Sequence, residues 1–243
     1  MTRPILKVDK LCKYFGGLRA VHEVSFDVVE GSILGIAGPN GSGKSTLFNA
    51  ITSIPFTPTS GSIEFDGQSI DSFPAHKIAR AGLCRTFQKD AEFQDLSPLD
   101  TMLLSVSYAG QKERPERATA IEAALDLVKF EPSRWDMPTR DLSVYEKKQL
   151  MIGSALVSKP KMLLLDEPAS GLTKPEIAAL DALLLDVNKS GVTIILIEHV
   201  LSLLLSVSQS LLVLNQGQVL TQGEPDAVVR DPLVIDAYLG GRG

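Results

Sequence analysis

Gly38-Pro39-Asn40-Gly41-Ser42-Gly43-Lys44-Ser45-Thr46 satisfies G-x-x-x-x-G-K-[ST] at every required position. The stretch follows an apolar run, Ile33–Ala37, and leads into Lys44–Ile51, which reads as a helix. Strand, glycine-rich loop and helix together are the context this motif needs. Phosphates are dense in negative charge and require many donors at close range. Glycines let backbone N–H groups approach and permit positive φ, and the following helix adds partial positive charge at its N-terminus. Lys44 is expected to reach the β- and γ-phosphates of ATP, and the Ser45 hydroxyl to bind Mg²⁺.

The remainder of the chain fits an α/β fold around this loop. It has 243 residues, 44% of them hydrophobic, enough for a large core. A net charge of −5 gives no basic field to draw nucleic acid or anionic lipid, so no nucleic-acid partner is expected. The cysteines, Cys12 and Cys84, form no CxxC or Cys/His cluster, which fits a reduced cytosolic setting and argues against structural zinc. The N-terminal MTRPILKVDK lacks a signal-peptide apolar core. The most apolar stretch, Val192–Leu214, is interrupted by Glu198, His199 and Gln209 and reads as strand, helix, strand rather than a membrane span.

Strands are expected at Ile5–Asp9, Ser25–Val29 and Gly61–Phe65, the last followed by an Asp66-Gly67 turn. Helical spacing recurs at Pro98–Ser107, Arg117–Phe130 and Ser143–Ser158, divided by charged, proline-containing segments. Met162–Leu165 and Val192–Ile197 return to buried parallel-strand character, with a proline-opened helix, Pro175–Lys189, between them. The expected fold is a P-loop NTPase core with an N-terminal antiparallel β flank and an inserted helical subdomain, about residues 89–158, within one domain spanning 1–243.

MLLLDEP sets Asp166 and Glu167 at the end of an apolar strand, where α/β folds bind ligands. Asp166 is expected to hold Mg²⁺, directly or through water. Glu167 is expected to orient and deprotonate the attacking water.

A P-loop, a later glutamine, an LS-led helix, an Asp-Glu pair after an apolar strand, and a strand-end histidine occur in that order. In this order the chain resembles the ATP-binding subunits of ABC transporters over nearly its whole length. The resemblance implies that Phe15 in KYFGG stacks on adenine, with Tyr14 beside it as an alternative, and adds Val21 to the ATP-binding set. It makes Gln88 in RTFQ the glutamine that senses Mg²⁺ and links to the membrane subunit, and His199 in LIEHV the residue that contacts the γ-phosphate. FGGLRAV, RTFQ, DEPASGL, IEH, LNQGQVL and AYLG resemble the branched-chain amino acid importer type. That implies transmembrane permeases, a second ATPase subunit (self or paralogue) and, indirectly, a periplasmic solute-binding protein as partners. It also implies a peripheral place on the cytoplasmic face of the plasma membrane.

The signature that is usually LSGGQ reads Leu142-Ser143-Val144-Tyr145-Glu146. The resemblance assigns Ser143, Val144, Tyr145 and Glu146 to a site completed across a dimer. Ser143 is expected to cap its helix and reach the γ-phosphate held by the opposite subunit. Tyr145 stands where a glycine is usual. Either its ring turns away and hydrolysis is intact, or it crowds the nucleotide or demands an unfavourable φ, weakening hydrolysis. Thr173 stands where aspartate is common. The rival functions are an exporter or lipid-transport ATPase with the same chemistry, and a nucleotide-dependent structural subunit with little turnover.

Overall fold

Ile33–Ala37 (β3), Met162–Asp166 (β7) and Thr193–Ile197 (β8) are buried at every position, as strands covered on both faces must be. In the computed structural model, which describes residues 3–86, 94–108 and 114–239, they pair in parallel, β3 beside β8 and β8 beside β7. Leu83–Arg85 (β6) extends the sheet beyond β7, and Ser210–Asn215 (β9) and Gln218–Gly223 (β10) extend it beyond β3. The order is β10-β9-β3-β8-β7-β6, with only the β9–β10 hairpin antiparallel.

Alternation sends side chains to two separate cores. Ile33, Leu163, Leu165, Ile194 and Leu196 face a core shared with the helices Lys174–Lys189 (α6) and Leu201–Val207 (α7). Leu34, Ile36, Met162, Leu164, Ile195 and Ile197 face the other, which encloses the helix Lys44–Thr52 (α1) through Leu47, Phe48 and Ile51. That second core is closed by an antiparallel sheet of Pro4–Phe15 (β1), Leu18–Val29 (β2), Ser60–Phe65 (β4) and Gln68–Ser69 (β5), in the order β2-β1-β4-β5. The fold class expected from the sequence is the one observed.

β1 and β2 are each 12 residues long and outrun the alternating segments expected for them. The reason is irregular register: the ladder shifts between Val8 and Leu11 and again around Lys13, and Lys10 and Glu23 take positive φ. Such bulges interrupt a period-2 pattern while the pairing continues. After the short helix Ala75–Ala81 (α2), the chain enters the helical region: Pro98–Tyr108 (α3), Arg114–Leu127 (α4) and Val144–Leu156 (α5). α4 stops before the expected Phe130 because Lys129 adopts a left-handed φ of 54°. Met102, Val106, Ile121, Leu125, Leu150 and Ile152 bury into the first core; the three helices pack on one another, and α4 also meets α6. Pro225–Val228 (α8) and Pro232–Leu239 (α9) are the last of the described elements. Among the described residues no helix is long and apolar enough to cross a membrane.

Candidate functional site

The expected chemistry converges at the carboxyl ends of three neighbouring strands: the Gly38–Thr46 loop after β3, Asp166-Glu167 at the end of β7, and His199 just after β8. The loop is shaped by positions where a side chain is excluded. Gly38 has φ 148°, and a Cβ there would lie 2.2 Å from the Leu214 carbonyl oxygen and 2.7 Å from Ser42 Oγ. Gly43 has φ 104°, and its Cβ would lie 2.4 Å from the Ala20 carbonyl oxygen. Gly43 also occupies the cap position of α1 without a side-chain cap, so the first-turn N–H groups of that helix are left for another acceptor. Pro39, Asn40, Gly41 and Ser42 carry the chain between, and Ser42 N–H donates to the Pro39 carbonyl at 3.2 Å. Gly217, in the β9–β10 turn, donates to Ser42 O at 2.9 Å and accepts from His22 N–H at 2.8 Å, tying the loop to β2.

Lys44 is buried, and its Nζ donates to the Gly38 and Pro39 carbonyls at 2.8 and 3.1 Å. Burial pulls its pKa below the usual lysine value, against the opposing pull of Glu167 and Asp166. Ser45 is exposed and Thr46 half-buried at the start of α1.

Asp166 forms a buried ion pair that sequence reading missed. Its Oδ2 accepts from Arg85 Nη2 at 2.8 Å, with the side chains 4% and 5% exposed, so solvent screens the pair little. Arg85 Nη1 also donates to Asn49 Oδ1 at 2.6 Å, and its guanidinium lies 5.4 Å from the Phe48 ring centre. β6 therefore grips both α1 and the aspartate. Burial raises the Asp166 pKa, and Arg85 opposes the shift. Asp166 Oδ1 is buried with no hydrogen-bond partner. Among the described residues no cluster of three His, Cys, Asp or Glu forms an all-protein metal cage. Mg²⁺ needs none, since it keeps several waters and binds through one or two carboxylates and the substrate phosphates. The unpaired Oδ1 and the exposed Ser45 hydroxyl fit that donor set.

Glu167 sits at φ 50°, in the left-handed region that a non-glycine residue occupies at a cost. The turn is held by Glu167 N–H donating to the Ile197 carbonyl at 2.9 Å. It brings Glu167 Oε1 to 2.7 Å from His199 Nε2, with His199 41% and Glu167 15% exposed. Glu198, which the sequence offered only as a break in an apolar stretch, is 2% exposed. Its Oε1 accepts from Ala169 N–H at 2.6 Å and its Oε2 from His199 N–H at 3.1 Å, so one carboxylate joins the loop after β7 to the loop after β8. Burial raises its pKa.

Phe15 is 45% exposed at the β1–β2 hairpin and stands edge-on to Phe56, with centroids 5.0 Å apart. Tyr14 instead bonds His22 Nδ1 through its hydroxyl at 2.8 Å. Val21 is 0% exposed within the second core, so its side chain has no surface to offer a base. Gln88 lies outside the described residues.

Ser143 caps α5 in a reciprocal box: its Oγ accepts from Glu146 N–H at 3.2 Å, and Glu146 Oε2 accepts from Ser143 N–H at 2.7 Å. Glu146 is further engaged by Arg134, whose Nε and Nη2 donate to Oε1 and Oε2 at 2.7 and 3.0 Å. Both of its oxygens thus have partners within the chain. Val144 is 43% exposed beside Gly171. Tyr145 takes no positive φ, because it lies in the first turn of α5, and its ring packs against the first core. Thr173 begins α6, its N–H and Oγ1 both donating to Glu176 at 2.7 Å.

A glycine loop clasping its own lysine, with a carboxylate pair and a histidine at adjacent strand ends, defines a P-loop nucleotide site. The chain belongs to the ABC transporter family, whose model matches residues 21–170. A second model, described as branched-chain amino acid ATP-binding cassette transporter, matches residues 218–243. The chain is 36% identical to the high-affinity branched-chain amino acid transport ATP-binding protein BraF of Pseudomonas aeruginosa, covering 99% of each. It is 34% identical, at the same coverage, to the corresponding protein LivG of Escherichia coli. It resembles an ABC transporter cassette solved in its ADP conformation, with a TM-score of 0.89 and 30% identity over 98% of this chain and 100% of that one. A nucleotide-free cassette matches with a TM-score of 0.88 and 28% identity over 97% of this chain and 99% of that one. The protein is accordingly an ATP-binding cassette of the class that hydrolyses ATP to power transport.

Proposed function

We propose that this chain is the ATP-hydrolysing subunit that powers an importer of branched-chain amino acids. The observation that carries the mechanism is the Glu167–His199 contact of 2.7 Å beside the Lys44 loop. The names of the relatives carry the solute class.

Backbone N–H groups of Gly41 to Thr46 and the Lys44 ammonium neutralise the phosphates. Lys44 exchanges the Gly38 and Pro39 carbonyls for phosphate oxygens, a stronger charge-assisted pairing. Phe15 offers its exposed ring to the adenine. Ser45 and Asp166 Oδ1 would hold Mg²⁺, which would supply positive charge to offset that developing on the phosphoryl group. The family resemblance assigns Gln88, which lies outside the described residues, to the same set. Glu167 orients the attacking water and takes its proton, while His199 fixes the carboxylate and reaches the γ-phosphate.

The facing subunit supplies Ser143 at its helix N-terminus, so two such chains, or this chain and a paralogue, enclose two ATP molecules. ATP favours the closed pair because it is bound from both sides only there. Closure moves the helical region, about residues 89–158, and drives permeases that receive solute from a periplasmic binding protein. The chain thereby sits on the cytoplasmic face of the membrane through its permeases. Tyr145 packing into its own core supports intact hydrolysis. Co-purification with two permeases, followed by steady-state ATPase in proteoliposomes, tests the proposal. Leucine with its binding protein is expected to stimulate turnover. No stimulation by any branched-chain amino acid, with ATPase intact, would overturn the solute class.

A further inference from the structure

α9 reaches the phosphate loop from the far end of the sequence. The Tyr238 hydroxyl accepts from Gly38 N–H at 2.8 Å, across 200 residues of chain. Gly38 is the first residue past the β3–β9 ladder, whose last pair is Ala37 and Val213. Its carbonyl accepts from Lys44 Nζ at 2.8 Å. One residue is therefore held from both sides, its N–H by the C-terminal helix and its C=O by the lysine that serves the phosphates. A Cβ at Gly38 would collide with Leu214 O and Ser42 Oγ, so no side chain could take over the hydroxyl's role there.

The rest of α9 is lightly anchored. Val234 is 6% exposed, while Leu233, Ile235 and Tyr238 are 60%, 45% and 46% exposed. Between the helix and the strand ends lies a cavity of about 320 Å³, lined by Ala37, His199, Leu204, Leu211, Val234 and Tyr238. With that space beneath it, the helix meets the loop through the hydroxyl rather than through a filled apolar interface.

We infer that Tyr238 is a positioning residue for the phosphate cradle, so that nucleotide affinity depends on the C-terminal helix. This rests on the assignment of Gly38–Thr46 as the nucleotide site. The hydroxyl fixes where the loop leaves β3, and with it the starting position of Lys44. Removing it leaves the Gly38 N–H without its acceptor and frees the loop entrance to sample positions that bind phosphate less well. Linkage is reciprocal, so bound ATP must in turn hold α9 against the loop.

Tyr238→Phe removes the oxygen and keeps the ring. The expected result is a rise of about fivefold in both Kd and KM for ATP, the effect of losing one neutral hydrogen bond. kcat of the assembled transporter stays within about twofold, because the hydroxyl is bonded to the Gly38 N–H and not to Glu167 or His199. Thermal melts are expected to show the variant folded. Amide exchange should be faster at Gly38, and ATP should slow exchange in α9 of wild type more than in the variant. Wild-type Kd and KM in Tyr238→Phe would overturn the inference alone, as would a loss of kcat with KM unchanged. Failure of the wild-type protein to bind ATP would overturn the site assignment and this inference with it.

Discussion

Arg85→Met isolates the buried pair behind the Asp166 carboxylate, the proposed metal ligand. The substitution keeps the aliphatic stem but removes the donor to Asp166 Oδ2 at 2.8 Å and the donor to Asn49 at 2.6 Å. Both side chains are at most 5% exposed, so water cannot replace the lost partner without reorganisation. Breaking a buried pair from one side costs about 3–5 kcal/mol, because a charge is left uncompensated. For a domain of this size that corresponds to a fall in Tm of roughly 6–20 °C. The deficit has a sign in pH. Asp166 already has a raised pKa from burial, and loss of Arg85 removes the influence opposing that rise. With the folded pKa above the unfolded one, the folded state binds the extra proton, so stability falls as pH rises through that window. Arg85→Met is thus least damaging near the ordinary carboxylate range, about pH 4, and most damaging near pH 7. Adding Asp166→Asn removes the stranded charge, so the double variant should recover about 1 kcal/mol or more over the sum of the singles. Urea and thermal unfolding of the purified chain at both pH values measure all of this. An Arg85→Met variant within about 0.5 kcal/mol of wild type at pH 7 would refute the reasoning.

Two further perturbations follow from the site. Lys44→Ala removes the charged donor of the phosphate loop and should weaken ATP binding by roughly 10- to 150-fold in calorimetry, the range for hydrogen bonds to charged groups; unchanged affinity would remove the lysine from the site. Glu198→Gln tests the strap between Ala169 and His199: burial raises the Glu198 pKa, so the wild-type stability advantage over the variant should shrink as pH rises above about 4.5, and a difference independent of pH would show that the carboxylate is not desolvated.

The central sheet was readable because each core strand is an apolar run ending in a residue with chemistry: Ala37 before the glycine loop, Leu165 before Asp166, Ile197 before Glu198 and His199. Burial on both faces erases alternation and leaves a continuous signal. β1 and β2 were shortened in the reading because Lys10 and Glu23 bend the chain at bulges and break the period. Residues whose role is to hold others were not readable. Arg85 lies 81 residues from Asp166, and Tyr238 lies 200 from Gly38. In sequence Arg85 is a cation in a short string, and Glu198 a blemish in an apolar stretch. The only available signal was a charged residue beside otherwise buried strand positions, which obliges a partner without naming it. Tyr145 was open for a different reason: a residue type alone does not say whether its backbone is helical or left-handed. The reciprocal Ser143–Glu146 box starts the helix one residue earlier and settles the conformation.

Glu167→Gln is the most direct test of Glu167 as the group that activates water beside bound ATP. The amide keeps the size of the carboxylate and cannot take a proton. In the purified transporter, ATP affinity measured by calorimetry should remain within about threefold of wild type, while steady-state hydrolysis falls by about 10²–10⁴-fold, the contribution of a positioned general base. Hydrolysis at the wild-type rate, with ATP bound as tightly, would contradict it.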